Sequence, residues 1–251
     1  MRVLAAAAHP DDIEFGMAGT LLLLKEKGAS IHMWNLADGS CGSESLSGAV
    51  LRRLRWKEAA ASARLAGAVL HGPIGRDLRL FFEPGLLARA AAVIRKVKPD
   101  ILLVPSPEDY MEDHQNACRL AVTAAFVRGM RNFPARPRVK PWRGFVAVYH
   151  AQPHMNRDAF GKKVRPSLFV NVASVWGRKQ AMLSCHKSQK DWLDASQGLG
   201  RYLKAQETSA REVGNMSGRF RLAEGWRRHN PLGFGPPGHD PLRLLLGKQV
   251  R

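Results

Sequence analysis

Two short segments carry the residue types that chemistry needs. The first is Ala8-His9-Pro10-Asp11-Asp12, directly after the apolar run Val3–Ala8. His9 and Asp12 stand three apart, across a proline whose ring fixes one φ and stiffens the turn. An imidazole and a carboxylate held in this way can clamp a zinc ion, which accepts both ligand types. Asp11 lies beside them and need not be a ligand. The second segment is Pro107-Glu108-Asp109-Tyr110-Met111-Glu112-Asp113-His114, after the apolar stretch Ile101–Pro105. Taken alone, each segment also reads as a helix entry, where an aspartate caps free N–H groups and complements the helix dipole. Both, however, leave what the pattern makes the carboxyl ends of buried strands, where functional groups of an open parallel sheet collect. If the loops meet in one cleft, His9, Asp12 and His114 supply three ligands and leave a fourth position for water. That is the arrangement of a catalytic rather than a structural zinc site.

The elements that must position these loops are legible in the first half of the chain. Val3–Ala8 is continuously apolar, as expected of a strand buried on both faces. Leu21–Leu24 and the charged residues after them predict a helix over Thr20–Lys27, ending at Gly28. Ser30–Ala37 reads as a strand, Ala49–Leu65 as a helix stopped by Gly67, and Ala68–His71 as a short strand. Pro84–Lys98 reads as a helix closed by Pro99, Ile101–Pro105 as a strand, and Asp113–Gly129 as a helix. This alternation predicts an α/β fold with a parallel sheet and helices on both faces. The second half is less regular. Phe133–Pro141 reads as a loop, Gly144–His150 and Leu168–Val172 as strands, and Val175–Cys185 as a helix. No composition break divides the chain, so residues 1–251 are expected to form a single domain, with an irregular C-terminal arm at about 230–251.

Composition narrows the class further. With 251 residues, 45% hydrophobic and 24% charged, the chain can bury a sizeable core, and disorder, collagen and coiled coil are excluded. No apolar run approaches the roughly 18–20 residues of a spanning helix. Val3–Ala8 is too short for a signal sequence and runs straight into two aspartates. Cys41, Cys118 and Cys185 are odd in number and widely spaced, which points to a reducing, cytoplasmic setting. Residues 1–125 hold 15 Lys/Arg and 14 Asp/Glu, a net of +1; residues 126–251 hold 24 and 7, a net of +17. The basic half suits an anionic substrate, a carrier lipid or an oligomer partner, a homo-oligomer included. No aromatic-interleaved motif accompanies it, so nucleic acid is not favoured.

The chain resembles the LmbE-like, or PIG-L, family of zinc-dependent N-deacetylases. The resemblance rests on His9-Pro10-Asp11-Asp12-Ile13-Glu14-Phe15-Gly16, on Gly19-Thr20, on Asp38-Gly39-Ser40 with Gly42-Ser43, and on Arg55-Trp56-Lys57-Glu58 running on to Gly67. It continues through Asp109–His114, Lys179, His186-Lys187-Ser188-Gln189 and Ala223-Glu224-Gly225, and so spans about residues 3–228. It implies a Rossmann-like three-layer fold and hydrolysis of an N-acetyl group on an amino sugar or glycoconjugate, such as an N-acetylglucosamine derivative. It also implies Zn²⁺ on His9, Asp12 and His114, Asp11 as general base, and Arg55 beside the substrate. A site of two nitrogens and one oxygen accepts Fe²⁺ as well.

One departure stands out. The family commonly reads His-Pro-Asp-His where this chain reads Met111-Glu112-Asp113-His114. The first histidine of that motif is associated with stabilising the oxyanion or supplying a proton, and Met111 does neither. Asp113 thereby loses the residue it would orient. Tyr110, His150 and His186 are the candidate replacements, and Arg55, Tyr110 and His186 make up the expected substrate-side set. Trp142, Trp176, Trp192 and Trp226 are candidates for stacking on sugar faces. N-deacetylation is the leading expectation. An amidase for a non-sugar amide, and a metal-binding protein whose turnover is reduced by Met111, are the alternatives.

Overall fold

The structure is a computed structural model and describes residues 1–189, 192 and 201–251. Strand β1 (Arg2–Ala7) is apolar from Val3 onward because it is covered on both sides. Val3, Ala5 and Ala7 pack against Leu21–Leu24, while Leu4, Ala6 and Ala8 pack against Leu86, Ala90, Ile94 and Leu120. The other strands are β2 (Ser30–Asn35), β3 (Val69–His71), β4 (Ile101–Val104), β5 (Ala147–Ala151), β6 (Leu168–Asn171) and β7 (Ala223–Arg228). They form one sheet in the order β3-β2-β1-β4-β5-β7-β6. From β3 through β5 the pairings are parallel; β7 runs antiparallel to both β5 and β6.

One face of the sheet carries α1 (Asp12–Gly16), α2 (Ala18–Glu26), α3 (Gly48–Ala66), α6 (Trp176–Leu183), α7 (Arg201–Ser217) and α8 (Pro241–Leu246). The other carries α4 (Pro84–Val97) and α5 (Glu112–Phe126). The fold is thus the expected three-layer α/β sandwich with a mostly parallel sheet. Leu21–Leu24 are all buried, so α2 is apolar around its whole circumference. Gly67 ends α3 with φ 59, the left-handed cap that glycine adopts without a Cβ penalty. The strand order reverses between β1 and β4, and in open α/β sheets the crevice beyond the carboxyl ends at such a reversal is the binding site. The two chemically loaded segments leave β1 and β4.

Three elements differ from the sequence reading. The helix expected over Thr20–Lys27 begins earlier, because the chain turns into α1 at Asp12, immediately after Asp11. β7 was not anticipated: it buries Glu224 and contains Gly225, which breaks the apolar alternation of a strand. The C-terminal arm is not irregular throughout. Asp240 caps α8 by accepting from the Arg243 N–H at 3.1 Å, Leu242 and Leu246 enter the core, and Val250 bridges to Val170. Cys41, Cys118 and Cys185 are free thiols, and no described helix is long and apolar enough to cross a membrane.

Candidate active site

The turn after β1 is held from several directions. Asp11 has φ 112, a left-handed conformation that non-glycine residues rarely adopt. The His9 backbone N–H donates to Asp12 Oδ2 at 2.7 Å, and the Arg55 guanidinium donates to the Pro10 carbonyl. Below the turn, the buried Lys179 Nζ donates to the Glu14 and Phe15 carbonyls at 3.1 and 2.7 Å, and to Glu224 Oε1 at 2.6 Å. Glu224 in turn accepts the Gly19 and Thr20 N–H groups at 2.8 and 2.7 Å. A cation therefore closes the carbonyl end of α1 and an anion the N–H end of α2, each where the backbone dipoles favour it. Gly19 is required here, since a Cβ would lie 2.5 Å from Val172 and 2.9 Å from the Glu224 carboxylate.

The loop after β4 brings His114 to this turn. His114 Nε2 lies 3.4 Å from Asp12 Oδ1, and His9 Nδ1 lies 3.6 Å from Asp12 Oδ2. One ligand atom from each of the three residues falls within 4.8 Å of the others. Zinc bonds of ~2.0–2.2 Å place tetrahedral ligands about 3.4 Å apart, so the donor set fits such an ion. The remaining ring nitrogens are engaged from behind. Asp113 Oδ2 is 2.9 Å from His9 Nε2, and Asp109 Oδ1 is 2.9 Å from His114 Nδ1. Carboxylates so placed fix tautomer and ring orientation and make the imidazoles better ligands. Asp113 therefore has a partner after all: it orients His9, and it also accepts the Leu78 N–H at 2.6 Å.

The charges in this cluster act on one another at short range. Burial alone would lower the pKa of His9, but hydrogen bonds with Asp113 and Asp12 outweigh it and push it up to about 9. Burial likewise opposes charge on His114, whose pKa is nevertheless raised by Asp12 and Asp109. Asp12 is held well below the usual carboxylate range because the two imidazoles overcome its burial. Asp11 behaves differently: burial raises its pKa, against the opposing charge of Arg55. Its Oδ2 accepts the Tyr202 hydroxyl at 2.6 Å and lies 3.5 Å from Arg55.

These residues line a cleft of about 490 Å³. Arg55 and Tyr110 both reach it; Arg55 is buried, whereas the Tyr110 residue as a whole is 59% exposed, and partial desolvation of its phenol together with Asp12, Asp109 and Asp11 pushes its pKa up to about 12. His150 and His186 do not reach it. His150 is enclosed by Cys118 Sγ at 3.4 Å, the Pro105 carbonyl at 3.3 Å and His229 at 2.9 Å, and burial lowers its pKa to about 4. His186 is fully buried and lies 3.1 Å from Glu14. Among the tryptophans, Trp192 lines the cleft, whereas Trp226 is a core residue bonded to Thr20 Oγ1 at 3.0 Å. The lining also holds residues that the sequence reading did not single out, His154 and Tyr202 among them. Neither stands in a local pattern that would single it out.

Comparison with known proteins agrees with this architecture. Residues 4–126 match the PIG-L family model, described as GlcNAc-PI de-N-acetylase. The diacetylchitobiose deacetylase of Thermococcus kodakarensis is 30% identical over 233 residues, covering 90% of this chain and 82% of that one. The 4-oxalmesaconate hydratase of Pseudomonas putida is 27% identical over 195 residues, covering 74% and 73%. The structure of N,N'-diacetylchitobiose deacetylase from Pyrococcus horikoshii superposes with a TM-score of 0.76 at 26% identity, over 96% of this chain and 88% of that one. The chain belongs to the PIG-L family.

Proposed function

We propose that the protein is a divalent-metal-dependent N-deacetylase acting on an amino sugar or glycoconjugate, with the whole chain working as one domain. The observation that carries this reading is the juxtaposition of Asp11 with the His9–Asp12–His114 group. Asp11 is a carboxylate outside the donor set, poised beside it and raised in pKa by burial, as suits a general base. An ion held by His9, Asp12 and His114, Zn²⁺ or Fe²⁺, would polarise the amide carbonyl and lower the pKa of water towards ~7. Tyr202 and Arg55 hold Asp11 Oδ2, which leaves Oδ1 to take the proton of the attacking water. The new C–O bond forms, the C–N bond breaks, and the proton held by Asp11 passes to the leaving amine. Arg55 and Tyr110 stand on the cleft wall where a sugar would meet them. The amino-sugar class is supported by the two diacetylchitobiose deacetylases and by a cleft of small-molecule size. The free thiols suit a reducing, cytoplasmic setting.

The test is acetate and free-amine release from N-acetylglucosamine and diacetylchitobiose, with zinc added or chelated. Chelation should abolish release. Asp11→Asn should keep the ion and lose about 10²–10⁴-fold in kcat. Full activity in that variant removes Asp11 as the base. No acetate from any acetamide, together with hydration of an unsaturated dicarboxylate, moves the reading to the reaction named for the Pseudomonas putida relative.

A further inference from the structure

Beside the ion, a hydrogen-bond donor at the carbonyl oxygen speeds amide hydrolysis as that oxygen becomes tetrahedral. Several donors on the cleft wall are committed elsewhere, and Tyr110, whose hydroxyl has no hydrogen-bond partner among the described residues, is 59% exposed. The His9 and His114 imidazoles face the donor set and their backing carboxylates. The Tyr202 hydroxyl donates to Asp11, and the Gln152 amide donates to the Val164 carbonyl at 2.7 Å. Met111, also on the wall, has no donor to offer. His154 is the imidazole that remains: neither of its ring nitrogens has a hydrogen-bond partner among the described residues.

Its placement is fixed by its neighbours. β5 is parallel to β4, so the chain leaving β5 through Gln152 and Pro153 opens on the same edge of the sheet as the loops after β1 and β4. Asp109 joins the two segments: Oδ1 is bonded to His114 Nδ1, and Oδ2 accepts the His154 backbone N–H at 3.1 Å. The His154 ring packs 4.7 Å from that of Phe15 and 5.8 Å from that of Tyr110, and the Tyr110 ring is 5.9 Å from that of His114. Directly after His154, Met155 and Asn156 have φ 53 and 60, two successive left-handed residues without a glycine. Strain of that kind persists only where surrounding structure enforces it, and it clusters at functional sites. Here Asn156 is fully buried and donates to the Ser209 carbonyl and to Glu212 at 3.1 and 2.9 Å. Both partners lie on α7, the helix that also carries Tyr202.

We propose that His154, through a ring N–H, is the hydrogen-bond donor to the oxygen of the substrate amide in the tetrahedral intermediate, the task Met111 cannot perform. This role rests on the deacetylase reading above. It needs no net proton transfer: the water proton goes to Asp11 and then to the amine, while the imidazole keeps its own. Burial lowers the pKa of His154, in keeping with a neutral donor.

The test uses the metal-loaded full chain. His154→Ala should lower kcat by about 10²–10³-fold with KM nearly unchanged, and His154→Gln, which keeps an N–H, should recover at least about tenfold of that loss. A readout without turnover is the affinity for a methylphosphonamide analogue of N-acetylglucosamine, which presents a tetrahedral anion. His154→Ala should weaken it at least about tenfold and leave glucosamine binding and metal content unchanged. An active wild type whose kcat and analogue affinity survive His154→Ala overturns the role of His154 alone. A wild type that neither releases acetate nor binds the analogue overturns the deacetylase reading, and this role with it.

Discussion

The two sides of the cleft are built in different ways. The loops after β1 and β4 hold the donor set through short bridges: His9 to Asp12 and Asp113, and His114 to Asp12 and Asp109. The opposite wall comes from the antiparallel flank and α7, and it reaches the site across long stretches of chain; Tyr202 and Asp11 are 191 residues apart. In the proposed reading the first side holds the ion, while the second supports the base and faces the substrate. Damage to the two sides should therefore separate into lost metal and lost turnover.

The largest effect is expected on the loop side. His114→Ala should reduce the bound ion to near zero by elemental analysis and cut acetate release by on the order of 10⁴-fold, because binding of the ion and its chemistry fail together. Unchanged metal occupancy would remove His114 from the donor set. Next comes Asp113→Asn, which keeps the shape behind His9 but not the charge. Metal affinity, measured by competition with a chelator, should fall about 10–100-fold. If affinity is unchanged while activity falls, Asp113 belongs with the turnover side and the division drawn here is wrong.

Smaller changes are expected on the opposite wall. Tyr202→Phe removes the hydroxyl on Asp11 and should cost about tenfold in kcat with metal content intact, the size of a lost hydrogen bond to a charged group. Metal loss in this variant would show that the two sides are not separable. Smallest of all, Met111→His should change kcat by less than about threefold, since His154 already serves the oxyanion. A gain near the roughly 10²-fold worth of a missing oxyanion donor would mean that no replacement exists.

The same contrast marks what the amino-acid sequence discloses. β1 through β4 and the longer helices between them, α1 apart, were legible from their apolar segments and from the stops Gly67, Pro84 and Pro99. His9, Asp12 and His114 were legible because strand ends in such a sheet converge, and the structure does bring them together. The partner of Asp113 was not, since a run of four residues shows nothing about which ring lies across the cleft. β7 was hidden by its buried glutamate, which is tolerable only because Lys179 pairs with it at 2.6 Å. His150 and His186 drew notice as residue types, yet their burial among other partners keeps both from the cleft. Tyr202 and His154 lie in stretches with no distinctive spacing, and only the fold shows what they face.

The central claim is that His9, Asp12 and His114 hold one divalent cation between them. Anomalous diffraction at the zinc edge, from crystals grown with zinc, tests it most directly. The account predicts one strong peak within ~2.0–2.2 Å of His9 Nδ1, His114 Nε2 and an Asp12 carboxylate oxygen, with Asp11 outside bonding distance. An absent peak there, or one coordinated by Asp11 in place of Asp12, contradicts it.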